Sequence, residues 1–185
     1  MTVWILLLFV YTTFATTRNP PWKKPEYETM QNITEVVGNE YTTYFVYEGT
    51  FYQDVLIQKP VVCLIMRTTS LLGGFVVAYR KYRKQVTEEQ ETMDLYLTLE
   101  KDRGYHVYNY MELEDADEQE GLGAMHLVYT DYALCSLFYY DKTGDYELWL
   151  YNKPDDVATP CELLLALLWD KSTHVYYTKN CTDTK

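Results

Sequence analysis

Between Cys135 and Cys161 the chain carries a tight turn and a helix start that leave it few ways to fold. Two alternating segments flank Asp141-Lys142-Thr143-Gly144, residue types that tolerate turn geometry, so the stretch reads as a β-hairpin. Side chains two apart on a strand share a face. Glu147 and Trp149 therefore point one way, and Leu148 and Leu150 the other. The aliphatic face suits packing beneath a helix, and a helix signal follows at once. Thr159-Pro160-Cys161-Glu162 is a capping box with proline at the first helical position, opening the run 163–169. Helical spacing predicts that this helix buries Leu164, Leu167 and Leu168.

The rest of the chain is rich in strand patterns. Residues 26–37 read as a short helix ended by Gly38. Strands are expected over 41–51, 61–67 and 73–82, the last two joined through 68–72. The clearest is 93–99, with Met93, Leu95, Leu97 and Leu99 on one face. Further strands are expected over 105–113, 124–130 and 174–177, with an acidic loop at 112–120. No internal repeat or domain boundary interrupts this order. It specifies an all-β domain, either a closed antiparallel barrel or a sandwich.

Composition narrows the function. Twenty tyrosines, six phenylalanines and four tryptophans suit strands with aromatic-lined surfaces. A formal net charge of -11 disfavours nucleic acid and anionic membrane as partners. The apolar run 3–10 followed by Thr13-Phe14-Ala15 reads as a signal peptide spanning 1–15, leaving 16–185 as a single secreted domain. Four cysteines in such a chain imply two disulfides, with three connectivities open. Asn32-Ile-Thr and Asn180-Cys-Thr are glycosylation sequons.

Signatures of catalysis are missing from the sequence. His106, His126 and His174 are far apart, and no zinc, nucleophile-elbow or phosphate-loop motif occurs. The expectation is a protein that is not an enzyme and uses no cofactor or metal. Asp115 and Asp117 have the first spacing of a calcium loop, but Glu120 stands where an EF-hand needs glycine. The acidic loop is then a solvated one that draws cations toward a nearby opening.

Cys135, Leu137, Glu147-Leu148-Trp149 and Cys161 together make a pattern that resembles the tick salivary lipocalins, the histamine-binding family. That family's signature is a cysteine followed by Asp and an aliphatic residue, a spacer, Glu-Leu-Trp, a second spacer and a cysteine. Here Ser136 stands in place of the Asp, while Val128–Asp131 and Asn180-Cys181 extend the likeness. The resemblance implies a lipocalin-like eight-stranded antiparallel barrel with a short N-terminal helix and a C-terminal helix packed outside. It also implies disulfides Cys135–Cys161 and Cys63–Cys181, and the expected state is a monomer.

In amine-binding members of the family the Glu and Trp of the motif line the cavity, which implies that role for Glu147 and Trp149. A protonated amine needs a carboxylate to offset its lost hydration and an aromatic face for its charge. Asp54 falls where such members have a cavity aspartate, with Ile57 replacing their tryptophan. Ala124 and His126 fall where they have Phe and Asp, and Ser136 replaces the aspartate of their second amine site. Phe51, Tyr108 and Tyr110 are candidate wall aromatics. The resemblance thus implies a secreted salivary protein that sequesters a biogenic amine, histamine or serotonin, with at most one amine site. The alternatives are a fatty acid, leukotriene or sterol in an apolar cavity, and a host protein bound through the loops.

Overall fold

A computed structural model describes residues 20–72, 75–155 and 158–181. The proposed signal peptide and the start of the strand expected from residue 73 lie outside them. Eight strands form one antiparallel sheet: β1 Thr43–Gly49, β2 Val62–Leu72, β3 Phe75–Arg83, β4 Glu91–Glu100, β5 Tyr110–Asp115, β6 Gly121–Thr130, β7 Cys135–Tyr140 and β8 Tyr146–Leu150. Each pairs with the next, β8 pairs with β1, and β1 pairs with β2, so the sheet closes into a barrel. Closure removes the unpaired edges that an open sheet would expose. The alternative of a sandwich is thereby settled.

Period-two alternation sets the inside and outside. On β4, Leu95, Leu97 and Leu99 are buried while Tyr96 and Thr98 are exposed. On β8, Trp149 joins the core inside the barrel, and Leu148 and Leu150 join a second core outside it with Cys135, Leu137, Cys161 and Leu165. The second core is covered by α2, Pro160–Leu168. Its capping box is formed: Thr159 accepts from the Glu162 N–H, and Glu162 accepts from the Thr159 N–H at 2.6 Å. The Cys135–Cys161 disulfide ties its first turn to β7.

That tether decides which helix face is buried. With about 100° per residue, Leu164, Leu165 and Leu168 lie near the side of Cys161, and Leu167 lies about 120° away from it. Leu165 is buried and Leu164 and Leu168 half-buried, but Leu167 is 74% exposed, against the expectation from leucine spacing.

Several boundaries also move. β2 continues through 68–72, where a connector was expected, because Thr68 to Leu72 stay paired with β3. β5 starts at Tyr110, since Tyr105 instead turns its hydroxyl to Gln31 and Asn109 bonds the loop at Asp102. β6 starts earlier than expected, at Gly121. The N-terminal helix is two pieces, a 3-10 turn Pro25–Met30 and α1 Ile33–Val37, broken at Asn32, where the Ile33 N–H is drawn to the Tyr108 carbonyl. A ninth short strand, β9 His174–Val175, pairs with β1 at Glu48 and Gly49, past the last residue that β1 shares with β2. The Cys63–Cys181 disulfide anchors the segment that follows β9 to β2. Both disulfides are the pairs the family resemblance implies.

Candidate ligand-binding site

Strand β3 sends Val76, Ala78, Arg80 and Tyr82 inward, so a lone cation interrupts an apolar row. Arg80 is fully buried, and so are the two carboxylates that meet it. Glu147 comes from β8. Asp54 comes from the β1–β2 connection, where its Oδ1 accepts from the backbone N–H groups of Leu56 and Ile57 at 3.0 and 2.8 Å. This Asx-type turn holds the carboxylate through contacts local in sequence.

The guanidinium forks onto Glu147, Nη1 to Oε1 at 3.0 Å and Nη2 to Oε2 at 2.6 Å. Its Nε donates to Asp54 Oδ2 at 3.0 Å, and Nη2 donates to the same oxygen. Glu147 is completed by the Trp149 indole N–H on Oε1 and the Tyr140 hydroxyl on Oε2. Every carboxylate oxygen of the group thus receives two donors. Burial works against the charge on Arg80, but Asp54 and then Glu147 outweigh it and hold its pKa well above the ordinary value. Burial, then the charge of Glu147, pushes the Tyr140 hydroxyl well up, which keeps it a donor. Two carboxylates thus meet one guanidinium in this group.

Aromatic rings wall this group. Trp149 packs on Phe138 at 4.3 Å and Tyr44 at 5.4 Å, and Phe51 stacks on Tyr176 at 5.3 Å and meets Tyr140 edge-on at 6.0 Å. Of the residues expected in the cavity, the barrel therefore brings together Glu147, Trp149, Asp54 and Phe51. Ser136 is also buried, its hydroxyl bonded to Thr130 and Tyr151.

Three expected residues lie elsewhere. On β5 and β6, Met111, Met125 and Leu127 take the inward positions, so Tyr110 and His126 must face out. Tyr108 precedes β5 and is 45% exposed. His126 stacks on Tyr110 at 4.8 Å beneath Trp22, with Nδ1 3.4 Å from Asp102 Oδ2. Burial, and then the charge of Lys23, holds its pKa below the ordinary 6.5. A histidine depressed by folding binds fewer protons folded than unfolded, so stability must fall as pH drops below about 6.5 and level off below the folded pKa. Replacing His126 by Phe should flatten that part of a urea-midpoint-versus-pH curve; an unchanged slope would remove His126 as its source.

Arg80 is the residue that sequence reasoning missed. Its signal was the period-two row itself, a charge at an inward position between Ala78 and Tyr82. Of the glycosylation candidates, Asn32 is half-buried at the start of α1, with Nδ2 3.4 Å from Glu35 Oε1, and Asn180 is exposed.

Two residues further along β3, at Tyr82, the open end of the barrel holds a cavity of about 590 Å³. Leu56, Ile57, Met93 and Leu122 form its apolar part, and Asp115, Asp117, Glu118 and Glu120 its acidic rim, with Lys59 and Tyr82 alongside. Burial, and then the hydrogen bond to Glu91, pushes the Tyr82 hydroxyl up to about 12. The geometry can seat a ring on aliphatic side chains and a cationic group among carboxylates.

A family model described as tick histamine binding protein matches residues 22–183. A search of curated protein sequences returns no match. Among solved structures, the AM182 serotonin complex is similar with 16% identity and a TM-score of 0.59, over 89% of this chain and 98% of that one. Japanin from Rhipicephalus appendiculatus bound to cholesterol is similar with 13% identity and a TM-score of 0.58, over 78% of this chain and 97% of that one. The cockroach allergen Per a 4 has 14% identity and a TM-score of 0.50, over 73% and 78%. At these identities the likeness is one of fold.

Proposed function

Because the chain belongs to the tick histamine-binding protein family, we propose that it is a secreted barrel that sequesters a small cationic amine of the histamine or serotonin class. The amine sits in the open-end cavity rather than against Glu147. The observation that carries this reading is the lining of that cavity, an acidic rim over aliphatic side chains. AM182 holds serotonin and japanin holds cholesterol, so the fold admits amines and sterols alike and the lining must discriminate. Four carboxylates around one lysine favour a cation and disfavour a fatty acid or leukotriene carboxylate. Glu147 was the first candidate for the amine, but all its acceptor positions are taken by Arg80, Trp149 and Tyr140.

A rim site leaves the ammonium partly hydrated, so one modest, salt-sensitive site is expected. Secretion is supported by the leader-like residues 3–10 and by two disulfides, which persist in oxidising compartments. Removal of a host amine at a feeding site would be the physiological role. Calorimetry with histamine and serotonin at low and high salt tests the reading. The double change Asp115→Asn/Glu120→Gln should weaken binding roughly tenfold, the worth of one or two charge-assisted contacts. Amine binding that ignores both salt and these changes would remove the rim from the site. Binding of a sterol with no binding of amines would turn the assignment to an apolar ligand.

A further inference from the structure

We infer that Arg80 is a tethered occupant of a cation seat: Asp54, Glu147, Tyr140 and Trp149 form a pocket for a guanidinium or ammonium group, and the chain fills it from within. This goes beyond the rim site and stands separately from it. Strands β3 and β8 are not neighbours, since β1 and β2 lie between them around the barrel. The Arg80–Glu147 contact therefore spans the lumen, where a bound molecule would lie, instead of linking adjacent strands. The far side of the seat is held by contacts that do not involve the guanidinium. Trp149 and Tyr140 orient Glu147 through its two oxygens, and the turn at Leu56 and Ile57 orients Asp54.

Two carboxylates converge on the one guanidinium, so the seat offers a cation acceptor oxygens from two sides. With Arg80 in place no carboxylate oxygen has an acceptor position to spare, so a free amine has nothing to replace its hydration in the interior. Arg80 is in this sense a specificity residue, confining free amines to the mouth. It also pins the β1–β2 connection, which carries Asp54 and lines the open end through Leu56 and Ile57.

The test removes the tether and returns its head group in solution. Arg80→Ala deletes the atoms from Cγ outward, and ethylguanidinium has the shape of those atoms. The folded variant should bind ethylguanidinium at one saturable site that raises its thermal midpoint. Adding Glu147→Gln to that variant should cut the affinity roughly tenfold to a hundredfold, the range for charge-assisted hydrogen bonds. Adding Asp115→Asn should leave it unchanged, which separates this seat from the rim. Should two facing carboxylates prevent folding, Asp54→Asn/Arg80→Ala keeps one carboxylate and carries the same test. The inference is overturned if a folded variant does not bind the probe, if binding ignores Glu147→Gln, or if neither variant folds in saturating probe. Failure of the unaltered protein to bind histamine would sink the rim reading and leave this one standing.

Discussion

Arg80→Met is expected to lower the unfolding free energy by about 3–5 kcal/mol, the cost of removing one partner from a buried ion pair. The upper end applies, because Asp54 and Glu147 both lose the same cation and neither can reach water. Methionine keeps an apolar stem in place of the arginine's, so lost packing is not the main effect. A companion variant separates charge from volume. Asp54→Asn/Arg80→Met/Glu147→Gln removes all three charges together and should recover most of the stability, since a buried ion group is often replaceable by neutral residues at little cost. Urea denaturation of the three proteins reads the comparison. A loss below about 1 kcal/mol for Arg80→Met, the scale of an exposed pair, would mean that water enters the barrel at this point.

The second large effect is expected from the Cys63–Cys181 bridge. It closes a sequence separation of 118, whereas Cys135–Cys161 closes one of 26. Chain entropy assigns roughly 5 kcal/mol to the longer loop and roughly 3.5 kcal/mol to the shorter. Changing Cys63 and Cys181 to Ala should therefore lower the denaturation midpoint more than changing Cys135 and Cys161. The longer bridge also holds Tyr176, whose hydroxyl donates to the Phe51 carbonyl and so braces the start of the Asp54 connection. Its loss should speed hydrogen exchange across 51–57 before it affects β4 or β5. The reverse order of midpoints would show that α2, through its tie to β7, contributes more than the loop it closes.

Much of the barrel was legible locally. A strand turns successive side chains to opposite faces whatever surrounds it, so β4 and the Glu147-Leu148-Trp149 segment could be read in advance for which residues share a face. The capping box depends only on four consecutive residues, and it formed as read. The fit to the family motif carried the disulfide pairing, which residue spacing alone left open among three choices.

Period two says which residues share a face, but not which face looks inward when both carry aromatic and apolar side chains. Tyr110 and His126 alternate with Met111, Met125 and Leu127, and only closure of the sheet put the methionines and leucine inside. Helical spacing was likewise read as a stripe through Leu164, Leu167 and Leu168, and the position of the disulfide selected the one through Leu165 instead. Arg80 is the clearest case. Its partners lie 26 and 67 residues away in the chain, on a connection and a strand that do not adjoin β3 in the sheet. Sequence by itself determined the strands, the helix cap and the acidic balance, because these follow from neighbouring residues and from sums over the chain. The tertiary structure alone decided that Glu147 and Asp54 are answered from within, because charges at a distance in sequence choose partners only once the barrel has brought them into one water-free space.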